Sequence, residues 1–420
     1  MNRTIEIHTN TSFGIATLLP GLPPAALWTC NVDLTLLLIG LLTSPPKFKA
    51  LSLSHYWAWL RYLVALHPSG KLRLRLLWRE IDSHQKTLLS DDFGTGFPCH
   101  YLIDNHGFED FADTGYLLKN VLNGFVSLLG SNMRGPSKSP DFIAVDNLGR
   151  LHILECKGTQ SSRADLIKAI ERGIPQKNNL SNSGLFTSSM VGGFFVPQHR
   201  SKEAAQIVFA DPPESELLKP LADLGRARVA EGVRRISLAK SLSMAGLWTA
   251  ATAISEEIIR SANINFVRRL ADGELRFAGY VKNDETGNWE RTISLQSLEQ
   301  RAKSGNTLVP VVTTLTVIIP ASVELLFMLA VNENGTVNRK EIDLWIAEQL
   351  TKTRALQMGA ESELTQDRKV GDEKKVGVQL PKSSWSKVAS NGFPLENSPG
   401  RGWRTGTGLQ FLLEHRTAGN

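Results

Sequence analysis

The stretch Ser139–Thr159, SPDFIAVDNLGRLHILECKGT, constrains the fold more than any other part of the chain. Two apolar runs of strand length, FIAV and LHIL, flank a polar turn, DNLGR. Runs this short, apolar on both faces and bounded by turn residues, belong to strands covered on two sides. The first strand is expected over 141–146 and the second over 151–157, joined as a hairpin. Core strands should not carry charge at their ends, yet Asp141 precedes the first run, and Glu155 and Lys157 close the second. Side chains alternate along a strand, so Glu155 and Lys157 share a face while Cys156 takes the other. With so short a turn, Asp141 is expected beside Glu155 across the hairpin.

Two converging carboxylates without an obligatory counter-ion form a hard, oxygen-rich pocket. Such a pocket suits Mg²⁺, which accepts one or two carboxylates and keeps waters for itself and for a phosphate. An ammonium beside it orients or helps deprotonate an attacking water and offsets charge building on a phosphoryl group. The chemistry expected of this set is metal-assisted phosphodiester hydrolysis.

The surrounding chain supplies the frame. From Phe108 to Leu129, apolar residues recur at three- and four-residue steps, which predicts an amphipathic helix with Glu109, Asp110 and Asp113 in its first turns. Ser161–Gly173 reads as a helix opened by a serine cap and closed near Gly173 and Pro175. Strands are expected at 191–197 and 205–213. Residues 214–260 read as mostly helical, and Thr307–Pro320 is β-branched and strand-like. Met358–Gly408 is polar and reads as a long loop or disordered stretch, after which LQFLLEH is expected to dock back.

Other segments receive plainer readings. DDFGTGFPCH (Asp91–His100) is read as a glycine-rich turn, since no helix follows at the offset a dinucleotide loop needs. Cys99, His100 and His106 lack the paired spacing of zinc ligands. Lys71–Glu80 alternates at first, and is read as an edge strand with Lys71, Arg73 and Arg75 on its solvated face. Three cysteines, odd in number, suggest no disulfide framework and a reducing compartment. The run LTLLLIGLL falls far short of the ~20 residues a membrane span needs, so no membrane association and a cytoplasmic location are expected. A net charge of +6 permits nucleic-acid contact without demanding it.

Pro140-Asp141 followed by Glu155-Cys156-Lys157 resembles the motif of the PD-(D/E)xK nuclease superfamily, the fold shared by many restriction endonucleases. The resemblance covers about residues 105–212. It implies an α/β fold with a restriction endonuclease-like core, a mixed central sheet flanked by helices, plus N-terminal α+β and C-terminal mixed regions. The expected division is 1–100 (N-terminal α+β), 101–213 (nuclease core), 214–355 (helical and mixed) and 356–420 (polar tail).

By the same resemblance, Asp141 and Glu155 are metal ligands and Lys157 is the catalytic lysine. Glu109 is the best match to a further acid from the preceding helix, with Asp113 second. Gln160 and Gln176 are candidates for an accessory glutamine. The implied cofactor is Mg²⁺, with Mn²⁺ as substitute, and the implied activity is endonucleolytic cleavage of DNA, double-stranded DNA favoured, in restriction or defence against foreign DNA. A repair, recombination or RNA-cleaving nuclease, and a non-catalytic DNA-binding module, are the alternatives. Lys138, Arg163, Lys168, Arg172 and Lys177 flank the motif and are expected to face phosphates. Double-strand cleavage by one site per chain favours a homodimer, and activation by a partner protein stays open. The second Glu-x-Lys pattern, in Gly371–Lys375 (GDEKK), sits in a polar segment with no strand around it and is set aside.

Overall fold

The hairpin forms, and it lies inside a seven-stranded mixed sheet. The computed structural model describes residues 1–9, 22–46, 56–67, 70–122, 125–129, 138–181, 183–210, 223–255, 280–300, 308–321, 323 and 402–417. The chain opens with β1 (Asn2–Thr9), β2 (Ala25–Asn31), α1 (Val32–Thr43) and α2 (Trp57–Tyr62). Then come α3 (Ser83–His106), β3 (Phe108–Asp113), α4 (Thr114–Leu117), β4 (Phe142–Asp146) and β5 (Leu151–Thr159). After α5 (Arg163–Lys177), the strands β6 (Ser188–Phe195) and β7 (Gln206–Ala210) complete the first sheet. The remaining elements are α6 (Asp223–Met244), α7 (Trp248–Ser255), β8 (Val281–Lys282), β9 (Trp289–Gln300), β10 (Leu308–Ile319), β11 (Gly402–Arg404) and β12 (Gln410–Thr417).

The sheet order is β2-β1-β7-β6-β5-β4-β3. Strands β3, β4 and β5 run antiparallel, while β5 and β6 are parallel and joined by the crossover helix α5. Alternation sends one side of each strand to each layer. Leu154, Cys156, Met190 and Phe194 join α3 and α1 in the largest core, where Phe97 and Phe194 stack at 4.1 Å. On the opposite face, Val191, Phe195 and Val208 pack on Leu166 and Ile170 of α5. The other sheet, β11-β12-β10-β9-β8, is antiparallel and adds Leu315, Val317, Phe411 and Leu413 to the first core. The run LTLLLIGLL lies in α1, buried on nearly every side and capped by Asn31, whose side chain accepts from the Asp33 amide. Among the described residues, no helix is long and apolar enough to cross a membrane.

Three local readings change. Phe108–Asp113 is a strand and not the start of a helix, because backbone pairing with β4 outweighs a helical spacing that fits only by coincidence. DDFGTGFPCH is the middle of α3 and not a turn. Its glycines serve contact: a Cβ at Gly94 would lie 2.5 Å from the Gly158 nitrogen, and one at Gly96 2.2 Å from Ile39. Helix propensity is outweighed there by burial between two layers. Lys71–Glu80 contributes a single bridge, Leu66 with Leu74, followed by a 3₁₀ segment over Leu76–Glu80. Helix α5 forms where expected, opened by Ser162 and ending at Lys177, two residues after Pro175. Residues 2–31 supply two strands to the same sheet as residues 108–210, so the N-terminal region and the motif region share one layer. Gly371–Lys375 and most of the polar tail lie outside the described residues.

Candidate active site

The site is built by register. Phe142 stands opposite Leu154, so the next position outward on β4's side is Asp141, facing Glu155. Asp141 is held by three main-chain bonds. Its Oδ2 accepts from the Cys156 amide at 2.7 Å, and its own amide donates to Glu155 Oε2 at 3.2 Å. Its carbonyl accepts from the Thr114 amide at 3.0 Å, where β3 ends. Glu155 and Lys157 share a strand face, and the Lys157 ammonium donates to Glu155 Oε1. Cys156 points to the opposite layer, hydrogen-bonded to Cys99 of α3. Lys157 is 24% exposed and Glu155 wholly buried, so the group opens outward past Lys157 and Asp141.

Two helices press on this strand end, and glycine permits both approaches. On one side, a Cβ at Gly173 of α5 would lie 3.1 Å from Glu155 Cγ and 3.2 Å from Lys157 Cε. On the other, a Cβ at Gly158 would lie 1.7 Å from the Ser90 carbonyl oxygen of α3. The motif is therefore clamped where its two charged side chains leave the sheet.

Electrostatics follow from this enclosure. Burial, and then the neighbouring Asp141 charge, push the Glu155 carboxyl up to about 8 against the opposing Lys157. Desolvation at the strand end raises the Asp141 carboxyl, with the Cys156 amide and Lys157 opposing. Burial works to lower the Lys157 ammonium, but the Glu155 charge and hydrogen bond outweigh it and hold it above its ordinary value. Asp91, on α3, is raised by burial and lowered by Lys157, and it acts in turn on Asp141. Asp113, paired with Lys240 Nζ at 2.6 Å, also acts on Asp141.

The structure thus brings Asp141, Glu155 and Lys157 together, and it does not bring Glu109 to them. Glu109 lies four residues from Asp113 on β3, beside Arg234 at 3.5 Å, and feels Asp110 and Asp146 rather than Asp141. The helix preceding the three antiparallel strands is α3, and the acid it presents to Lys157 is Asp91. That residue escaped sequence reasoning because DDFGTG read as a turn; the spacing of Leu89, Phe93 and Phe97, all buried, was the available signal. Gln160 is 8% exposed and donates to the Lys86 carbonyl at 2.8 Å and Ser90 Oγ at 3.2 Å, tying β5 to α3. Gln176 is half-buried on α5, three residues beyond Gly173.

Of the five basic residues, Lys177 is buried and donates to the Ser189 carbonyl at 2.6 Å, which removes it from any surface role. Arg163 pairs with Glu6 at 2.7 Å and Glu203 at 3.8 Å. Lys138 and Arg172 are exposed, as is Lys168, 3.9 Å from Asp165. Among the described residues no group of three or more His, Cys, Asp and Glu side chains is arranged to hold a metal. The oxygen donors at hand are those of Asp141 and Glu155, with Asp91 nearby, and a two-carboxylate set is within what Mg²⁺ accepts. His100 bonds Thr35 Oγ1 at 2.8 Å and sits 3.6 Å from Asp104.

No protein-family model, curated protein or solved structure matches this chain.

Proposed function

We propose that this protein is a Mg²⁺-dependent nuclease of the PD-(D/E)xK type, with a restriction endonuclease-like core, that hydrolyses phosphodiester bonds of DNA. The carrying observation is that Asp141, Glu155 and Lys157 converge at one end of the β4–β5 hairpin, locked there by the Cys156 and Asp141 amides. Element order supports the reading: α3, three antiparallel strands, the crossover α5, then the parallel strand β6. Two acids pushed upward by burial, Glu155 also by the Asp141 charge and Asp141 also by those of Asp91 and Asp113, form a site that a divalent cation would relieve. Asp141 and Glu155 would hold the ion, which when bound polarises the scissile phosphate. Lys157, kept protonated, positions the attacking water and offsets phosphoryl charge. A setting in restriction or defence rests on family analogy alone.

The test is cleavage of supercoiled, linear and single-stranded DNA, and of RNA, with Mg²⁺ or Mn²⁺ and with EDTA. Wild type should cut DNA only with metal, and Asp141→Ala, Glu155→Ala and Lys157→Ala should each be inactive while remaining folded. Undiminished cleavage by Lys157→Ala would rule the assignment out. Cleavage of RNA alone would move the substrate class. Metal-independent binding without cleavage would favour a DNA-binding module.

A further inference from the structure

Helix α6 grips the edge strand β3 at two points, and one grip also holds the C-terminal hairpin. At the site end, Lys240 Nζ lies 2.6 Å from Asp113 Oδ2 and donates to the Leu42 carbonyl at 2.6 Å. At the other end, the fully buried Arg234 reaches Glu109 Oε2 at 3.5 Å and Asp110 Oδ2 at 3.3 Å. The turn Thr405-Gly406-Thr407 enters this second cluster. The Gly406 amide donates to Asp110 Oδ1 at 3.3 Å, and Arg234 Nη1 donates to the Gly406 carbonyl at 3.2 Å.

A side chain at that position would displace the ends of three charged residues. A Cβ there would stand 2.1 Å from Asp110 Oδ2, 2.9 Å from Arg234 Cζ and 3.0 Å from Glu109 Oε2. The turn is shaped for entry: the Thr405 amide donates to Leu409 O at 2.9 Å, and the Gly408 amide to Thr405 O at 2.8 Å. Behind it, Trp403 stacks on Phe411 at 4.6 Å, and both are buried in the main core. A buried arginine beside the buried Asp110 and the half-buried Glu109 is costly unless its charge is paired and bonded. The Gly406 amide and carbonyl supply one hydrogen bond to Asp110 and one to Arg234, the former across 296 residues, while Glu109 Oε2, Asp110 Oδ2 and Arg234 Nε and Nη2 make ion-pair contacts only. The far end of β3 matters to the site, because Thr114 holds the Asp141 carbonyl and Asp113 pairs with Phe142.

We propose that residues 402–417 form a latch, keyed by Gly406, which locks β3 against α6 and so keeps Asp141 in register with Glu155. Its consequence for cleavage rests on the nuclease reading; its structural content does not.

Full-length wild type, Gly406→Ala and Gly406→Val are compared by hydrogen exchange and by Mn²⁺-dependent DNA cleavage. Amides of β3 and β12 should exchange about tenfold faster in both variants, with β6 and β7 unchanged. Cleavage should fall at least severalfold. Asp110→Asn, which removes charge without adding bulk, carries the same expectation should valine prevent folding. Unchanged exchange in β3 and β12 overturns the latch. Faster exchange with undiminished or increased cleavage overturns its link to Asp141. If wild type itself does not cut, the nuclease reading fails, and the exchange data alone decide the latch.

Discussion

At the residue scale, position on a strand decides role. Glu109 and Asp91 are both acids upstream of the motif, but of the two only Asp91 is electrostatically coupled to Lys157 and Asp141. Glu109 serves Arg234, and burial followed by the Asp110 charge pushes its carboxyl up to about 7. Asp91→Asn should therefore raise the Mn²⁺ concentration for half-maximal cleavage about tenfold, as lost outer ligands typically do, with Tm unchanged. Glu109→Gln, which removes a carboxylate whose charged form the fold disfavours, should instead leave stability unchanged or slightly raised at neutral pH and leave that Mn²⁺ requirement unaltered. Titrating cleavage against Mn²⁺ beside a thermal melt separates the two, and an unchanged requirement in Asp91→Asn would remove Asp91 from the site.

At the scale of elements, the β4–β5 hairpin is fastened at both ends. Away from the site, Asp146 Oδ2 lies 2.5 Å from Arg150 Nε and 3.3 Å from His152 Nε2, and His152 Nδ1 is hydrogen-bonded to Ser188 Oγ at 2.8 Å. Burial works to raise the Asp146 carboxyl, but the His152 hydrogen bond and charge, with Arg150, outweigh it and hold it below the usual carboxylate range. A depressed acid stabilises the fold above its unfolded pKa, and that contribution is lost as pH falls through the folded value. Asp146→Asn should cost about 3 kcal/mol at neutral pH, with the gap to wild type narrowing below pH ~4. Denaturant melts at several pH values measure this, and a gap constant with pH would contradict it. At the site end, Gly158 meets Ser90 O and Gly94 meets the Lys157 carbonyl. Gly158→Ala should destabilise by about 3 kcal/mol. Gly115→Ala, with nothing within 4 Å of its added methyl, should be neutral or slightly stabilising.

At the scale of the molecule, an ion-screened surface must meet a polyanion if the substrate is DNA. Lys138, Lys168 and Arg172 are exposed near the motif, whereas Lys177 is spent inside the fold. Charge reversal of Lys168 and Arg172 should weaken DNA binding and flatten its salt dependence by roughly one unit of slope per lost phosphate contact. Lys177→Gln should lower Tm and leave the salt slope alone. Fluorescence anisotropy across a salt series reads both, and an unchanged slope in the reversed variant would place DNA on another face.

The sequence alone determined the motif hairpin, its register and the convergence of Asp141, Glu155 and Lys157, because strand alternation and a short turn are local rules. The crossover helix and strands β6 and β7 were legible for the same reason. Tertiary structure decided what local rules could not reach. A strand at Phe108–Asp113 exists only because β4 offers it a partner, and DDFGTG is helical only because Gly158 and Ile39 press against it. Which acid stands near Lys157, which lysine is buried, and what Gly406 bonds to all depend on contacts between residues far apart in the chain. Such contacts leave no periodicity to read, since their stabilisation comes from burial and pairing that arise only once the layers have closed.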